Sequence, residues 1–291
     1  MYKIALVSIT LNPPYWPYIG PMVESAKKFF LKGHQVDFFV WTDIDFNENI
    51  GHQITQSWKA MNVNPHSLER LPEMINSTLR VKDSINVIPQ EPAEWPLPTL
   101  HRYHLFLREE EKLKDYDYIF YCDADMLFVA PVGDEILGED LTAAQMPMYA
   151  TKRGLIPPYE PNPESSAFIP RPGRVSNKNG RKMFEPLYFA GGFQGGRSEK
   201  FIEAMQVMKA NIDKDFSNNY IAIWNDETHW NKYCFSNPPS VVLSPSYVYP
   251  DSLIKGYYIP IWGKNYVPKI VTLTKPFTTS KAAGIELQTK V

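Results

Sequence analysis

An apolar run, a helix with one apolar face and a second apolar run open the chain, and that order points to a parallel sheet. Residues 3–9 read as a buried strand. A loop rich in proline and aromatics follows from Asn12 to Tyr18. Pro21 suits the first turn of a helix, Met22, Val23, Ala26, Phe29 and Phe30 give that helix an apolar face, and Gly33 stops it. Residues 35–41 then read as a second strand. Strand–helix–strand in this order is the unit from which α/β folds with parallel sheets are built.

The most informative stretch lies further on. Tyr116 to Cys122 is aromatic and apolar, and Asp123-Ala124-Asp125 follows. Alternation along an extended chain sends residues i and i+2 the same way, so Asp123 and Asp125 are expected to converge. Two hard oxygens on one point suit Mg²⁺ or Mn²⁺, which in turn suit a diphosphate. The competing reading is two acids in a solvated turn. The strand before them favours binding, because ligands in open α/β sheets sit beyond strand carboxyl ends.

Composition narrows the function. With 291 residues, the chain fits one large domain or two small ones, and its net charge of −2 gives no support to a nucleic-acid binder. The two cysteines, Cys122 and Cys234, make neither a disulfide framework nor a zinc site. No apolar run approaches the roughly 18 residues of a spanning helix. The start lacks a small-residue cleavage site, so the first apolar run is read as a core strand and the protein as cytoplasmic. Seven tryptophans and 17 tyrosines suit the flat apolar faces of sugars.

Other elements are expected as strands at 52–58 and 84–88, and as a helix capped by Thr99 and running to about Lys114, with Leu100, Tyr103 and Leu107 on one face. Residues 150–186 form a long surface excursion, read equally as a mobile lid or a static loop. Ser198 caps a helix to about Asn211, another helix begins at Asn225, and residues 241–249 form a last strand.

Two clusters could carry chemistry. Gly191-Gly192-Phe193-Gln194-Gly195-Gly196 brings backbone close to something, and matches neither a dinucleotide fingerprint nor a P-loop. Its bland reading is a bulge between strand and helix. Trp224-Asn225-Asp226-Glu227-Thr228-His229 sets an aromatic face beside two carboxylates, which suits a sugar. Acids also favour a helix's first turn for dipole reasons. His101 and His104 read as polar core or surface, and Arg102 between them reaches either the site or a surface ion pair.

Taken together, five stretches resemble glycosyltransferase family 6, which includes the histo-blood-group A and B transferases, the α1,3-galactosyltransferases and the Forssman synthase. They are Phe-Tyr-Cys-Asp-Ala-Asp-Met, Ser-Ala-Phe-Ile-Pro at 166–170, Tyr-Phe-Ala-Gly-Gly-Phe-Gln-Gly-Gly at 188–196, Ile-Trp-Asn-Asp-Glu-Thr-His-Trp-Asn-Lys-Tyr at 223–233 and Leu-Ser-Pro-Ser-Tyr at 243–247. The resemblance implies an α/β GT-A fold, a mixed, mostly parallel sheet flanked by helices. It implies one catalytic domain over 1–291: a UDP-binding half to 130, a sugar half over 131–265 and a basic tail over 266–291. It implies a retaining hexosyltransferase that moves N-acetylgalactosamine or galactose from the UDP-sugar to the 3-hydroxyl of a β-galactoside, forming an α1,3 linkage with Mn²⁺, or Mg²⁺ in its place.

By the same resemblance, Asp123 and Asp125 hold the metal, with Asp123 also on the donor, and Glu227 is the catalytic carboxylate. Arg102 and Asp226 hold the donor sugar, Ala190, Gly191 and Gly192 select it, and Lys275, or else Lys281, meets the diphosphate. Trp224 and Gln145 face the acceptor. The small residues at 190–192 favour UDP-N-acetylgalactosamine over UDP-galactose. Some bacterial relatives have Asn-x-Asn in place of Asp-x-Asp and need no metal; the two aspartates here imply metal dependence. Asn225 stands where a histidine is usual and Trp230 where a leucine is. The rival readings are an inverting GT-A transferase acting on another UDP-sugar and a non-catalytic carbohydrate-binding protein.

Overall fold

The structure is a computed structural model that describes residues 1–53, 78–79, 84–147, 149, 157–170, 187–254 and 266–275. In chain order its elements are β1 (Lys3–Thr10), α1 (Trp16–Phe29), β2 (Gln35–Thr42), β3 (Ile85–Pro89), α2 (Leu97–Leu100), α3 (Arg102–Leu107), α4 (Glu110–Leu113), β4 (Tyr118–Cys122) and β5 (Met126–Phe128). Then come β6 (Leu141–Gln145), β7 (Phe189–Arg197), α5 (Ser198–Ser217), α6 (Asn225–Ser236), β8 (Val241–Leu243), β9 (Tyr249–Pro250), α7 (Asp251–Ile254) and β10 (Ile270–Thr272). Seven strands form one sheet in the order β3-β2-β1-β4-β7-β6-β8. The sheet is parallel apart from β7, which runs antiparallel to both neighbours. This mixed, mostly parallel sheet flanked by helices is the GT-A-like architecture the sequence implies.

The period of two along each strand divides the core between two faces. Ile4, Leu6, Phe38, Val40 and Phe120 face α1, whose Ile19, Met22, Val23 and Ala26 are buried against them. Ala5, Val7, Phe39, Trp41, Ile119 and Tyr121 face the other way, onto Phe106 of α3, Met205 of α5 and Trp230 of α6. Central strands covered on both faces read as continuous apolar runs, which is why β1, β2 and β4 stand out in the sequence.

Several boundaries differ from expectation. Helix α1 begins at Trp16 with Pro17 in its first turn, so Pro21 falls inside it and cannot open it. Burial sets the start: Trp16 is in the core and its indole donates to Asp43 (2.7 Å). The helix expected over 99–114 is three short pieces. Arg108 N–H bonds Leu105 O and Glu109 N–H bonds Phe106 O, tight three-residue turns that break the α-helical ladder. Leu100 and Tyr103 are buried as expected, and Leu107 is partly buried. Ser198 is the first residue of α5 but makes no cap bond, and the helix runs on to Ser217 because Ile212 and Asp215 are also buried. Pro245 ends the last strand early, and a 3₁₀ turn over Pro245–Tyr247 separates β8 from β9. Of the strand expected at 52–58, His52 and Gln53 are helical and the rest lies outside the described residues.

Within the expected excursion at 150–186, residues 157–170 are tied down. Glu160 accepts from Tyr220 Oη (2.6 Å) and Ile223 N–H (2.9 Å). Asp215 accepts from Ser165 Oγ (2.6 Å) and Ser166 N–H (2.7 Å). These bonds anchor 157–170 to α5 and to the segment before α6; the rest of 150–186 lies outside the described residues. Trp230, one of the departures from the family pattern, is fully buried and meets Phe201 edge-on at 6.2 Å. Among the described residues no helix is long and apolar enough to cross a membrane.

The glycine run lies within β7, not between strand and helix. Its last two members are there for packing. A Cβ on Gly195 would lie 2.3 Å from Ile119 O, and Gly196 has φ +145° with Asp140 O 2.3 Å from its Cβ position. Gly195→Ala should therefore destabilise the fold by about 1–3 kcal/mol, the usual cost of overpacking, read as a lower urea midpoint. An unchanged midpoint would show that β4 and β7 do not approach this closely.

Candidate active site

The cavity lies beyond the carboxyl ends of the central strands β1 and β4. Beyond the carboxyl end of β1, Leu11, Asn12 and Tyr15 line it, and beyond β4 come Asp123, Ala124 and Asp125. Arg102, the first residue of α3, enters from a third side, and Trp224 to Glu227, at the start of α6, from a fourth. Gly191 and Gly192 of β7 form part of the wall. The cavity has a volume of about 390 Å³.

The two aspartates converge by a different route from the one expected. Strand β4 ends at Cys122, and Met126 N–H bonds Asp123 O (3.2 Å), so Asp123 and Asp125 sit in a turn between β4 and β5. The turn, not strand alternation, brings both to the cavity. Asp123 N–H bonds Gly192 O (2.9 Å), which fixes the turn to the glycine run. One oxygen of each acid is engaged: Tyr121 Oη donates to Asp123 Oδ1, and Lys275 Nζ lies 2.8 Å from Asp125 Oδ2. Burial and the Asp123 charge push the Asp125 carboxyl up, and Lys275 pulls it back.

Lys275 arrives there because the tail is woven into a second sheet. Strand β10 pairs antiparallel with β5 and parallel with β9, and Leu273 N–H bonds Asp125 O (2.8 Å). The tail is thus fixed beside the acids through residue 275. Lys281 lies outside the described residues.

Arg102 links two of the acids, Asp226 and Asp123. Its Nε is 2.9 Å from Asp226 Oδ2 and its Nη2 is 3.8 Å from Asp123 Oδ1, while Nη1 donates to Gly191 O (3.0 Å). The guanidinium stacks 4.3 Å from the centre of the Tyr121 ring. Burial opposes its charge, and Asp226, followed by Tyr121 and Asp123, more than offsets that. Asp226 is itself 1% exposed, and burial pushes its carboxyl up to about 7 although Arg102 pulls the other way.

Glu227 is held at both oxygens. Tyr188 Oη donates to Oε1 (2.8 Å) and Gly191 N–H donates to Oε2 (2.8 Å). Burial pushes its carboxyl up, and these two donors work against that. The first two glycines of the run allow this approach. A Cβ on Gly191 would lie 3.2 Å from Glu227 Cβ, and one on Gly192 would lie 2.8 Å from Asp123 Oδ2 and 2.7 Å from Met126 Cε.

Trp224 is 50% exposed and lines the cavity. Asn225 follows it at φ +50°, a left-handed conformation that asparagine tolerates better than most residues. Ala190 is buried in β7 and Gln145 ends β6 opposite Phe189; neither lines the cavity. His104 bonds the surface acid Asp213 (2.7 Å), as its polar reading implies. Sequence reasoning missed Asn12, Tyr15, Trp95 and Thr99, which complete the wall. The aromatic loop directly after β1 was the available signal, since ligands bind beyond strand carboxyl ends. It missed Tyr188 as well.

Among the described residues no three His, Cys, Asp or Glu side chains form a group able to hold a metal ion. Two carboxylates on one cavity wall, as Asp123 and Asp125 are here, are the number a Mg²⁺ site commonly draws from a protein, with waters and substrate phosphates as the other ligands.

A family model described as glycosyltransferase family 6 matches residues 70–261, about two thirds of the chain. The Homo sapiens globoside alpha-1,3-N-acetylgalactosaminyltransferase 1 is 28% identical over 239 residues, covering 81% of this chain and 58% of that protein. The Rattus norvegicus histo-blood group ABO system transferase 1 is 27% identical over 242 residues, covering 82% and 59%. The Escherichia coli O-antigen biosynthesis glycosyltransferase WbnI is 27% identical over 193 residues, covering 66% and 74%. The chain thus spans under two thirds of the length of the vertebrate relatives.

Proposed function

Since this chain belongs to glycosyltransferase family 6, we propose that it transfers N-acetylgalactosamine from its UDP-sugar to the 3-hydroxyl of a β-galactoside, with retention, forming an α1,3 linkage. The carrying observation is that one cavity joins two chemically distinct ends. Asp123, Asp125 and Lys275 make a diphosphate end, and Arg102, Asp226, Glu227 and Trp224 make a sugar end. The name of the globoside alpha-1,3-N-acetylgalactosaminyltransferase supplies the sugar and the linkage.

The residues divide the work as follows. Asp123 and Asp125 hold Mn²⁺ or Mg²⁺, which when bound supplies Lewis-acid stabilisation of the leaving UDP. Lys275 adds a second positive charge beside the diphosphate. Asp226 orients the donor sugar through its hydroxyls, kept in place by Arg102. Trp224 offers an apolar face to the acceptor ring. Glu227 stabilises the positive charge that develops at the anomeric carbon, or forms a bond to it, through the same carboxylate. Gly191 and Gly192 contribute backbone alone to the cavity wall, and the space a side chain would take there is filled by Glu227, Asp123 and Met126.

UDP release from UDP-N-acetylgalactosamine and from UDP-galactose, each with a β-galactoside, with Mn²⁺ and with chelator, tests this. Acceptor-stimulated release from the first donor, abolished by chelator, is expected. Full activity in chelator would remove the metal, and preference for UDP-galactose would overturn the donor. A β-configured product would favour an inverting enzyme. UDP affinity itself separates a transferase from a glycan-binding module.

A further inference from the structure

We propose that Tyr188 is a positioning residue for Glu227: its phenol and the Gly191 amide hold the two carboxylate oxygens and so set the plane and aim of the group. The inference rests on the transferase reading above.

Three observations carry it. The two bonds to Glu227 are both 2.8 Å and go to different oxygens, so the carboxylate cannot rotate without losing one of them. The Tyr188 ring is itself confined: it is 2% exposed, Tyr149 meets it edge-on at 5.3 Å, and Tyr159 lies against it at 5.7 Å while donating its own hydroxyl to Leu187 O (3.1 Å). The two backbones are also pinned together. Buried Asn231 accepts from Phe189 N–H and donates to Phe189 O and to Glu227 O, all at 2.8 Å. A single amide thus joins the residue after Tyr188 to the helix turn that carries Glu227. Burial and the Glu227 charge keep the phenol protonated, so it remains a donor.

A carboxylate needing only charge has no use for a fixed plane, whereas one that must meet a single carbon atom does. A bond to an ionised acceptor also favours the charged form. The other charged groups that act on Glu227 are Asp226 on its own helix, Arg102 on α3 and Asp123 in the turn after β4, with Tyr149 beside Tyr188.

Tyr188→Phe keeps the ring between its two neighbours, so the variant should still fold cooperatively, its melting point lowered only by the lost bond to Glu227. Its kcat should fall about 10- to 100-fold, the worth of a hydrogen bond to a charged acceptor, with donor KM and UDP affinity unchanged. Tyr188→Phe/Glu227→Gln should be no slower than Glu227→Gln alone, because the phenol acts only through the carboxylate. In ¹³C spectra of glutamate-labelled protein, with Glu227 assigned by Glu227→Gln, its titration should move to higher pH in Tyr188→Phe. Unchanged kcat, multiplying losses or an unmoved titration would each overturn the proposal. If the titration moves but the unaltered protein transfers no sugar from either UDP donor, the pairing stands and the transferase reading falls.

Discussion

Replacing Glu227 with glutamine should lower turnover by about 10²- to 10³-fold, the scale on which a preorganised charge contributes to a transition state, while UDP binds as tightly as before. The two effects separate because the groups are separate. On the proposed reading the diphosphate is held by Asp123, Asp125 and Lys275, and Glu227 bonds none of them. Glutamine also fits: its oxygen can accept from Gly191 N–H while its amide donates to the Tyr188 oxygen. Burial already pushes the Glu227 carboxyl up, so a neutral side chain should cost the fold nothing. Steady-state turnover, UDP titration calorimetry and a melting curve measured together check this. Turnover close to the starting protein's would take Glu227 out of the mechanism, and loss of UDP binding would mean the two ends of the cavity are not independent.

Arg102→Leu should destabilise the fold by about 3–5 kcal/mol near pH 8, because removing one partner of a buried ion pair leaves the other charge uncompensated. Asp226 is that other charge. The effect should shrink towards pH 5, and the sign follows from the pKa. The Asp226 carboxyl lies at about 7 in the fold against 3.8 ordinarily, so the folded chain binds its proton more tightly than the unfolded chain does. Stability from this group is therefore greatest in acid and falls as pH rises from about 4 to about 7. Without Arg102 the carboxyl rises further and the decline continues above pH 7. Urea unfolding of both proteins at pH 5.5 and pH 8 checks it. An equal loss at both values would mean that Arg102 acts through packing against Tyr121 and not through charge.

The sheet was legible because β1, β2 and β4 are largely buried on both faces and carry mostly apolar runs, interrupted only by Ser8 in β1 and Asp37 in β2. The acids of the site were legible because two of them close an apolar strand, two follow a tryptophan, and the stretches around both pairs resemble a known family. What escaped was whatever burial decides. Trp16 sets the start of α1 through a bond to Asp43, and no local pattern announces that partner. The turn at 123–125 depends on Gly192, a residue far along the chain. Tyr188 is one of 17 tyrosines and lies in an aromatic stretch, so nothing in its neighbours marks it out. The strand over 84–88 was anticipated and observed as β3, because its boundaries are local: Ser84 before it and a proline at its end.

The single antiparallel strand of the sheet has a consequence for folding. Strand β7 pairs with β4 through Tyr121↔Gln194 and Cys122↔Phe193, and this pairing, with the Asp123 N–H bond to Gly192 O, brings the glycine run to the aspartates. No short segment holds a fraction of the site that could form first, since the contacts are non-local and need the intervening chain to close as a loop. On the proposed reading, a nucleotide in this cavity would bridge the ends of β1 and β4, the wall from β7 and the tail carrying Lys275, and so act as a reversible cross-link of the fold. Its affinity is then spent on global stability by mass action, so the midpoint of thermal unfolding should climb with UDP concentration. Ligand binding and the cooperativity of the fold are in that sense one measurement.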